Sequence, residues 1–159
     1  MDCLFCKIYK ENKEVVFKNN NFYARFDKFP VSPGHAEVIP IKHVSSIREL
    51  SDGEWSDLKL SIENLVKLIE RTDFEELYRK MEPFNENSKL FIENMLIRDL
   101  KKRPDGYNYG INEGRAAGQT IEHLHLHIIP RYEDDVEDPI GGIRNVLPLG
   151  NYKHNLSKL

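Results

Sequence analysis

"IEHLHLHIIPR", residues 121–131, places three of the chain's six histidines at every second position. Leucines and isoleucines fill the gaps. Strict alternation of this kind marks a strand with one face in a core, because successive side chains on a strand point to opposite sides. The spacing predicts a strand over 122–131. Leu124, Leu126 and Ile128 would enter the core, and His123, His125 and His127 would line the other face. A stripe of imidazoles is costly to bury unless each ring finds a partner. The plain alternative is a solvent-facing strand that carries three histidines incidentally. Residues two apart on a strand sit ~7 Å from each other, given the ~3.3 Å rise. That is too wide for all three rings to hold one metal ion comfortably, so their roles are expected to divide.

The loop before this strand, "GRAAGQT" at 114–120, packs small residues beside Gln119 and Thr120. Small residues let backbone N–H groups approach an anion closely, and Thr120 adds a hydroxyl. Alone, such a stretch reads as a turn. Next to three histidines it reads as a phosphate cradle. An imidazole beside phosphate acts as nucleophile or proton donor near neutral pH.

The rest of the chain supplies a frame. Residues 3–12 read as a short helix. "VVFKNNNFYARFD" reads as a hairpin turning at Asn19–Asn21, and "HAEVIPI", from His35, as a third strand. Ser51 to about Met81 is strongly helical. Ser51 and Glu54 form a capping box, and Arg71-Thr72-Asp73 offers a break. A second helix is expected over 88–103, capped by Ser88, with Leu90, Phe91, Met95 and Leu100 as its apolar residues and Pro104-Asp105-Gly106 as its stop. "YNYGINEG", from Tyr107, reads as a strand. Strands in a meander, interrupted by helices, predict an α+β domain on a mostly antiparallel sheet of about five strands.

Length suits a single domain over 1–159, with a helical insertion around 82–104 and a C-terminal tail from about 133. The formal net charge of −3 offers no basic surface for nucleic acid. No apolar run approaches the roughly 20 residues of a membrane span. The N-terminal stretch becomes charged too soon for a secretory signal, so a cytoplasmic setting is expected. Two cysteines occur, Cys3 and Cys6. In a reducing compartment a close pair points to a metal or redox element.

His123-Leu124-His125-Leu126-His127-Ile128-Ile129 resembles the defining pattern of the histidine triad (HIT) family. "DKFPVSPGHAEVIPIKH" resembles that family's upstream strand–loop–strand, "NEGRAAGQT" its phosphate loop, and "CLFCKI" the N-terminal segment of its zinc-containing members. The resemblance implies a HIT-like fold and an enzyme that hydrolyses or transfers nucleoside monophosphates. Its substrates would be dinucleoside polyphosphates or related adenosine esters and amides, with water, phosphate or an amine as possible acceptors. His125 would then be the nucleophile, held through its other ring nitrogen by a backbone carbonyl, and His127 would assist the leaving group. Asp27 would hold the ribose; its ordinary reading is a turn-starting Asp. Asn112, Gln119 and Thr120 would meet phosphate, Phe5 and Ile8 the base, and His35 would support the triad. A structural zinc would take Cys3, Cys6, His43 and His123, against the alternative of two loosely held reduced thiols. No organic cofactor is implied.

Arg25 stands where the resemblance leads one to expect an apolar residue, and Arg144 in the tail is a candidate for reaching phosphate across a dimer. Family members are usually two-fold homodimers, so a homodimer is expected here. His154, in the polar tail, reads as solvated. The competing functional class is a nucleotide-binding sensor or interaction module with little turnover.

Overall fold

The computed structural model describes residues 3–147. The first helix, α1 (Leu4–Glu11), turns Phe5 and Ile8 inward and stops at Asn12. Asn12 takes the left-handed conformation, φ 49, that asparagine tolerates better than most residues. Strands β1 (Phe17–Lys18) and β2 (Phe22–Phe26) follow as a hairpin. The Asn19 side chain closes it by accepting from the N–H groups of Asn21 and Phe22. Strand β3 (Ala36–Pro40) is next, and β4 (Gly106–Gly110) and β5 (Leu126–Arg131) complete an antiparallel sheet of order β1-β2-β3-β5-β4.

The α+β prediction holds, and the sheet keeps two distinct faces. Phe22, Ala24, Phe26, Ala36, Val38, Leu124, Leu126 and Ile128 share one core with the helices. Tyr23 and Ile39 face the other way and pack with Phe5 and Ile8 of α1. The Tyr23 hydroxyl donates to the Phe5 carbonyl at 2.8 Å and pins α1 to that face. The parity read from the histidine stretch is therefore the parity of the whole sheet.

The helical layer differs from expectation in its boundaries. Helix α2 (Asp52–Ile69) carries the expected Ser51–Glu54 capping box. The chain then breaks where Arg71-Thr72-Asp73 allowed it, because the Asp73 side chain accepts from the Glu76 N–H and starts α3 (Phe74–Lys80). Helix α4 spans Glu86–Leu96, and its cap is Asn85, not Ser88. Ser88 is fully buried inside the helix, where its hydroxyl donates to the Lys28 carbonyl at 2.7 Å. The helix ends well short of 103, and the Asp99 side chain opens a turn by accepting from the Lys101 N–H. Ser88, Ile92 and Met95 form its buried stripe, while Leu90 and Phe91 are exposed.

Strand β5 is shorter than predicted. His123 bonds backward to the Ile121 carbonyl at 2.7 Å and the Leu124 N–H reaches Val44 at 2.6 Å. His123 and His125 thus arrive from a tight bend before the ladder begins. Strand β4 likewise stops at Gly110, its last partner being His127. No helix among the described residues is long and apolar enough to cross a membrane. His154 and the polar stretch from Asn151 lie outside the described residues.

Gly34 joins the helical layer to the sheet. Its φ is +82, and a Cβ there would sit 2.7 Å from the Phe74 ring. Its N–H donates to the Tyr78 hydroxyl at 2.8 Å. Left-handed backbone costs an alanine about 1–2 kcal/mol, and overpacking adds about 1–3 kcal/mol. Gly34→Ala is expected to lower the urea unfolding free energy by roughly 2–5 kcal/mol; a change below about 0.5 kcal/mol would show that the loop relaxes freely.

Candidate functional site

Cross-strand register builds the site on the face opposite the helices. Arg25 pairs with Glu37, Glu37 with His127, and His127 with Gly110, a row that crosses four strands. One step along, the Asp27 N–H donates to the His35 carbonyl at 2.9 Å, so Asp27 and His35 extend the same face beyond β2 and β3.

His125 is buried, and its Nδ1 lies 2.8 Å from the His123 carbonyl. A carbonyl only accepts, so Nδ1 carries the proton and Nε2 keeps its lone pair. The Phe5 ring stands 5.2 Å from the His125 ring and backs it with apolar surface. The His127 ring is 5.0 Å away, nearly perpendicular. The two rings lean together more closely than an even strand spacing suggests.

His127 continues into a relay. Its Nδ1 is 3.1 Å from His35 Nε2. On the far side of His35, Nδ1 faces both Asp27 Oδ2 at 3.4 Å and the Val31 N–H at 3.4 Å. His35 therefore has a partner on each nitrogen in either tautomer. A switch of tautomer moves the proton on His127 between its inner and outer nitrogens. Burial, with His35 and His125 nearby, holds His127 down to about 4, and burial lowers His35 as well. Both rings are neutral at pH 7.

Asp27 faces this relay. Its Oδ1 accepts from the Phe29 N–H at 2.9 Å, as a turn-starting Asp does, while Oδ2 turns to His35. Phe5 and Ile8 are core residues, and Phe5 is also a neighbour of His125. Arg25 occupies its unexpected position inside an ionic chain. Its Nη1 is 3.4 Å from Glu14, its Nε is 3.2 Å from Glu37, and Lys28 meets Glu14 at 3.2 Å. Burial first, then Asp27, push Glu37 up to about 8 against the pull of Arg25. Glu37, Glu14 and Lys28 went unnoticed in the sequence. The signal for Glu37 was present: in "HAEVIPI" it shares the parity of His35, the polar face.

A second cluster lies under His123. Cys3 Sγ is 3.4 Å from His123 Nδ1, Cys6 Sγ is 3.6 Å from the same atom, and Cys6 Sγ is 3.4 Å from His43 Nδ1. One ligand atom from each of the four residues fits within 4.8 Å. Tetrahedral zinc with bonds of about 2.0–2.3 Å has ligand–ligand edges of roughly 3.5 Å, so the donor set fits that ion. His123 Nε2 lies 2.8 Å from the Pro40 carbonyl, which places its proton there and leaves Nδ1 open to a metal.

The Gly/Ala loop is more self-contained than expected. The N–H groups of Ala117, Gly118 and Gln119 bond within the loop. Gln119 uses both ends of its amide, accepting from the Gly114 N–H at 2.8 Å and donating to the Ser45 carbonyl at 2.9 Å. Gln119 therefore shapes the loop. Thr120 is exposed at its end, and Asn112 lines a cavity together with His127 and His35. Arg144 lies on a short 3-10 segment, Gly142–Val146, near that cavity.

A HIT domain profile matches residues 9–134. The chain is similar to a bis(5'-adenosyl)-triphosphatase of Dictyostelium discoideum, 31% identical over 125 residues that span 79% of this chain and 64% of that protein. It is also similar to adenosine 5'-monophosphoramidase hnt1 of Schizosaccharomyces pombe, 29% identical over 137 residues, 85% of this chain and 78% of the relative. Among solved structures, a HIT family protein from Bacillus anthracis superposes with a TM-score of 0.60 at 26% identity, covering 99% of this chain and 94% of that one. The histidine parity, the five-stranded sheet and a profile that runs from α1 past β5 lead to one conclusion: the chain belongs to the HIT domain family.

Proposed function

We propose that this HIT-family nucleotide hydrolase cleaves the α-phosphate linkage of adenosine nucleotides AMP–X through a nucleotidyl-His125 intermediate. The observation that carries the reading is the 2.8 Å bond from His125 Nδ1 to the His123 carbonyl, which leaves Nε2 as a positioned nucleophile. The Nε2 lone pair forms a bond to phosphorus, and the P–X bond breaks with its electron pair on X. X departs with a proton passed from solvent through His127. Water then adds hydroxide to phosphorus and returns the proton, releasing AMP and free His125. The names of the relatives, a triphosphatase and a phosphoramidase, support adenosine as the retained half.

Placement around the triad supports the remaining roles. Asp27 holds ribose hydroxyls from the edge of the relay, Asn112 and Thr120 meet phosphate oxygens, and His35 orients His127. Phe5 and Ile8 give the base an apolar backing. Cys3, Cys6, His43 and His123 hold a structural zinc, which cross-links α1 to the bend that carries the nucleophile. A reducing cytoplasm keeps both thiols available to it. The enzyme acts as a homodimer, for which β4, at the sheet edge, leaves one side unpaired among the described residues.

His125→Ala is expected to lower turnover of diadenosine tetraphosphate or adenosine phosphoramidate by roughly 1,000-fold or more while AMP still binds, read by chromatography and calorimetry. Wild-type protein that binds these nucleotides and leaves them intact would instead make the chain a sensor. Cys6→Ser is expected to lose most of its zinc by elemental analysis and to melt roughly 5–10 °C lower. Unchanged zinc content would remove Cys6 from the metal site.

A further inference from the structure

The row that crosses the sheet at Arg25, Glu37 and His127 holds one side chain with no part yet in the reaction. Glu37 stands between the other two, opposite Arg25 on β2 and opposite His127 on β5. Residues directly opposite on antiparallel strands share a face, so the Glu37 carboxyl group lies among the histidines. Its Oε1 is 4.0 Å from His127 Nδ1. A carboxyl oxygen of Glu37 and one ring nitrogen from each of His125 and His127 lie within 4.8 Å of one another.

The surroundings of Glu37 favour the acid over the carboxylate. It is buried, and Arg25 Nε donates to the Phe26 carbonyl at 3.3 Å. Glu37 Oε2 is left with the guanidinium charge at 3.2 Å and no hydrogen bond. An unpartnered buried anion costs far more than an unpartnered neutral acid. Arg25 and Lys28 are the cations of this chain, and both reach Glu14. Glu14 and Asp27 offset them, so no surplus positive charge holds Glu37 ionised. His125 and His127 face it from β5. Tyr23, on the same face of β2, has its hydroxyl proton on the Phe5 carbonyl. Burial first, then Asp27, keep the Glu37 proton in place until about pH 8, against the pull of Arg25.

We infer that Glu37 is a positioning residue for proton transfer, holding the proton that His127 delivers to the departing group and taking it back when water attacks. The inference rests on His125 being the nucleophile. In the first step the Glu37 O–H bond breaks as an N–H bond forms at His127 Nδ1. The N–H bond at His127 Nε2 breaks in turn, and X takes that proton together with the P–X electron pair. Glu37 is then a carboxylate beside Arg25. In the second step hydroxide from water bonds phosphorus, His125 leaves, and the water proton returns through His127 to Glu37. Catalytic hydrogen bonds commonly tighten only once substrate is bound, so 4.0 Å is a workable resting distance. His35, 3.1 Å from the same nitrogen, aligns the ring; as a neutral group it adds no proton of its own.

The test compares two donors that share the AMP half. Adenosine 5'-phosphoramidate needs a proton on its departing nitrogen. The p-nitrophenyl ester of AMP does not, because nitrophenolate leaves as the anion. The measured quantity is the ratio of their kcat/KM values, amide over ester; a ratio within one variant cancels any loss of folded protein. Glu37→Gln is expected to lower this ratio by roughly 10- to 100-fold at pH 7. In wild-type protein the ratio is expected to fall about tenfold per pH unit above about pH 8, where the acid form is lost, and to stay level there in Glu37→Gln. A ratio within twofold of wild type in Glu37→Gln means that the side chain serves the fold alone and overturns the inference. An alkaline fall that survives the substitution belongs to another group and also overturns it. Both of those results leave the nucleophile assignment standing. Wild-type protein that cleaves neither donor removes the hydrolase reading, and this inference with it.

Discussion

The hydrogen bond from the His125 ring to the His123 carbonyl is the constraint on which the site depends. It works because His123 is itself held at three points. Its Nε2 faces the Pro40 carbonyl, its Nδ1 faces two cysteine sulfurs, and its backbone N–H bonds to Ile121. A carbonyl fixed in this way dictates which nitrogen of the next ring is free. The first histidine of the triad is spent on these contacts, and its carbonyl sets the tautomer and aim of the second.

The same sheet face carries an unusual polar load. Arg25, Glu37, Asp27, His35 and His125 are all buried, and buried polar and charged groups are weak contributors to stability because desolvation offsets their attraction. Glu37 Oε2 has the Arg25 charge beside it but no hydrogen bond of its own. Glu14, which anchors the other end of the chain, holds a left-handed backbone, φ 63, that glutamate seldom adopts. Stability for this arrangement comes from the opposite face, where Phe22, Val38, Leu65 and Ile128 pack with the helices. Strain and buried charge on one side of a sheet, with close apolar packing on the other, is the distribution expected where a fold carries chemistry.

Much of this was legible in the residues themselves. A period of two needs no tertiary information, so the strand and its two faces could be read directly, and cap and stop residues marked the helical layer. Side-chain competition for hydrogen bonds was not legible. Gln119 has the composition of a phosphate ligand, yet its amide is taken by Gly114 and Ser45, which lies 74 residues away in sequence. Ser88 has the composition of a cap, yet Asn85 sits one turn earlier and takes the role. Glu37 was hidden for the converse reason: its partners, Arg25 and His127, belong to two different strands, and register alone brings them together.

The Ser88 hydroxyl also joins two regions that are distant in sequence. It holds the carbonyl of Lys28, the residue after Asp27, while the Lys28 ammonium reaches the Glu82 carbonyl just before α4. Helix α4 is thereby bolted, directly and through the residues just before it, to the loop that follows Asp27. Tilting or loosening that helix would shift the loop between Asp27 and His35 while the histidines of β5 stay where the sheet holds them, so a remote scaffold can reposition one wall of the sheet face independently of the triad.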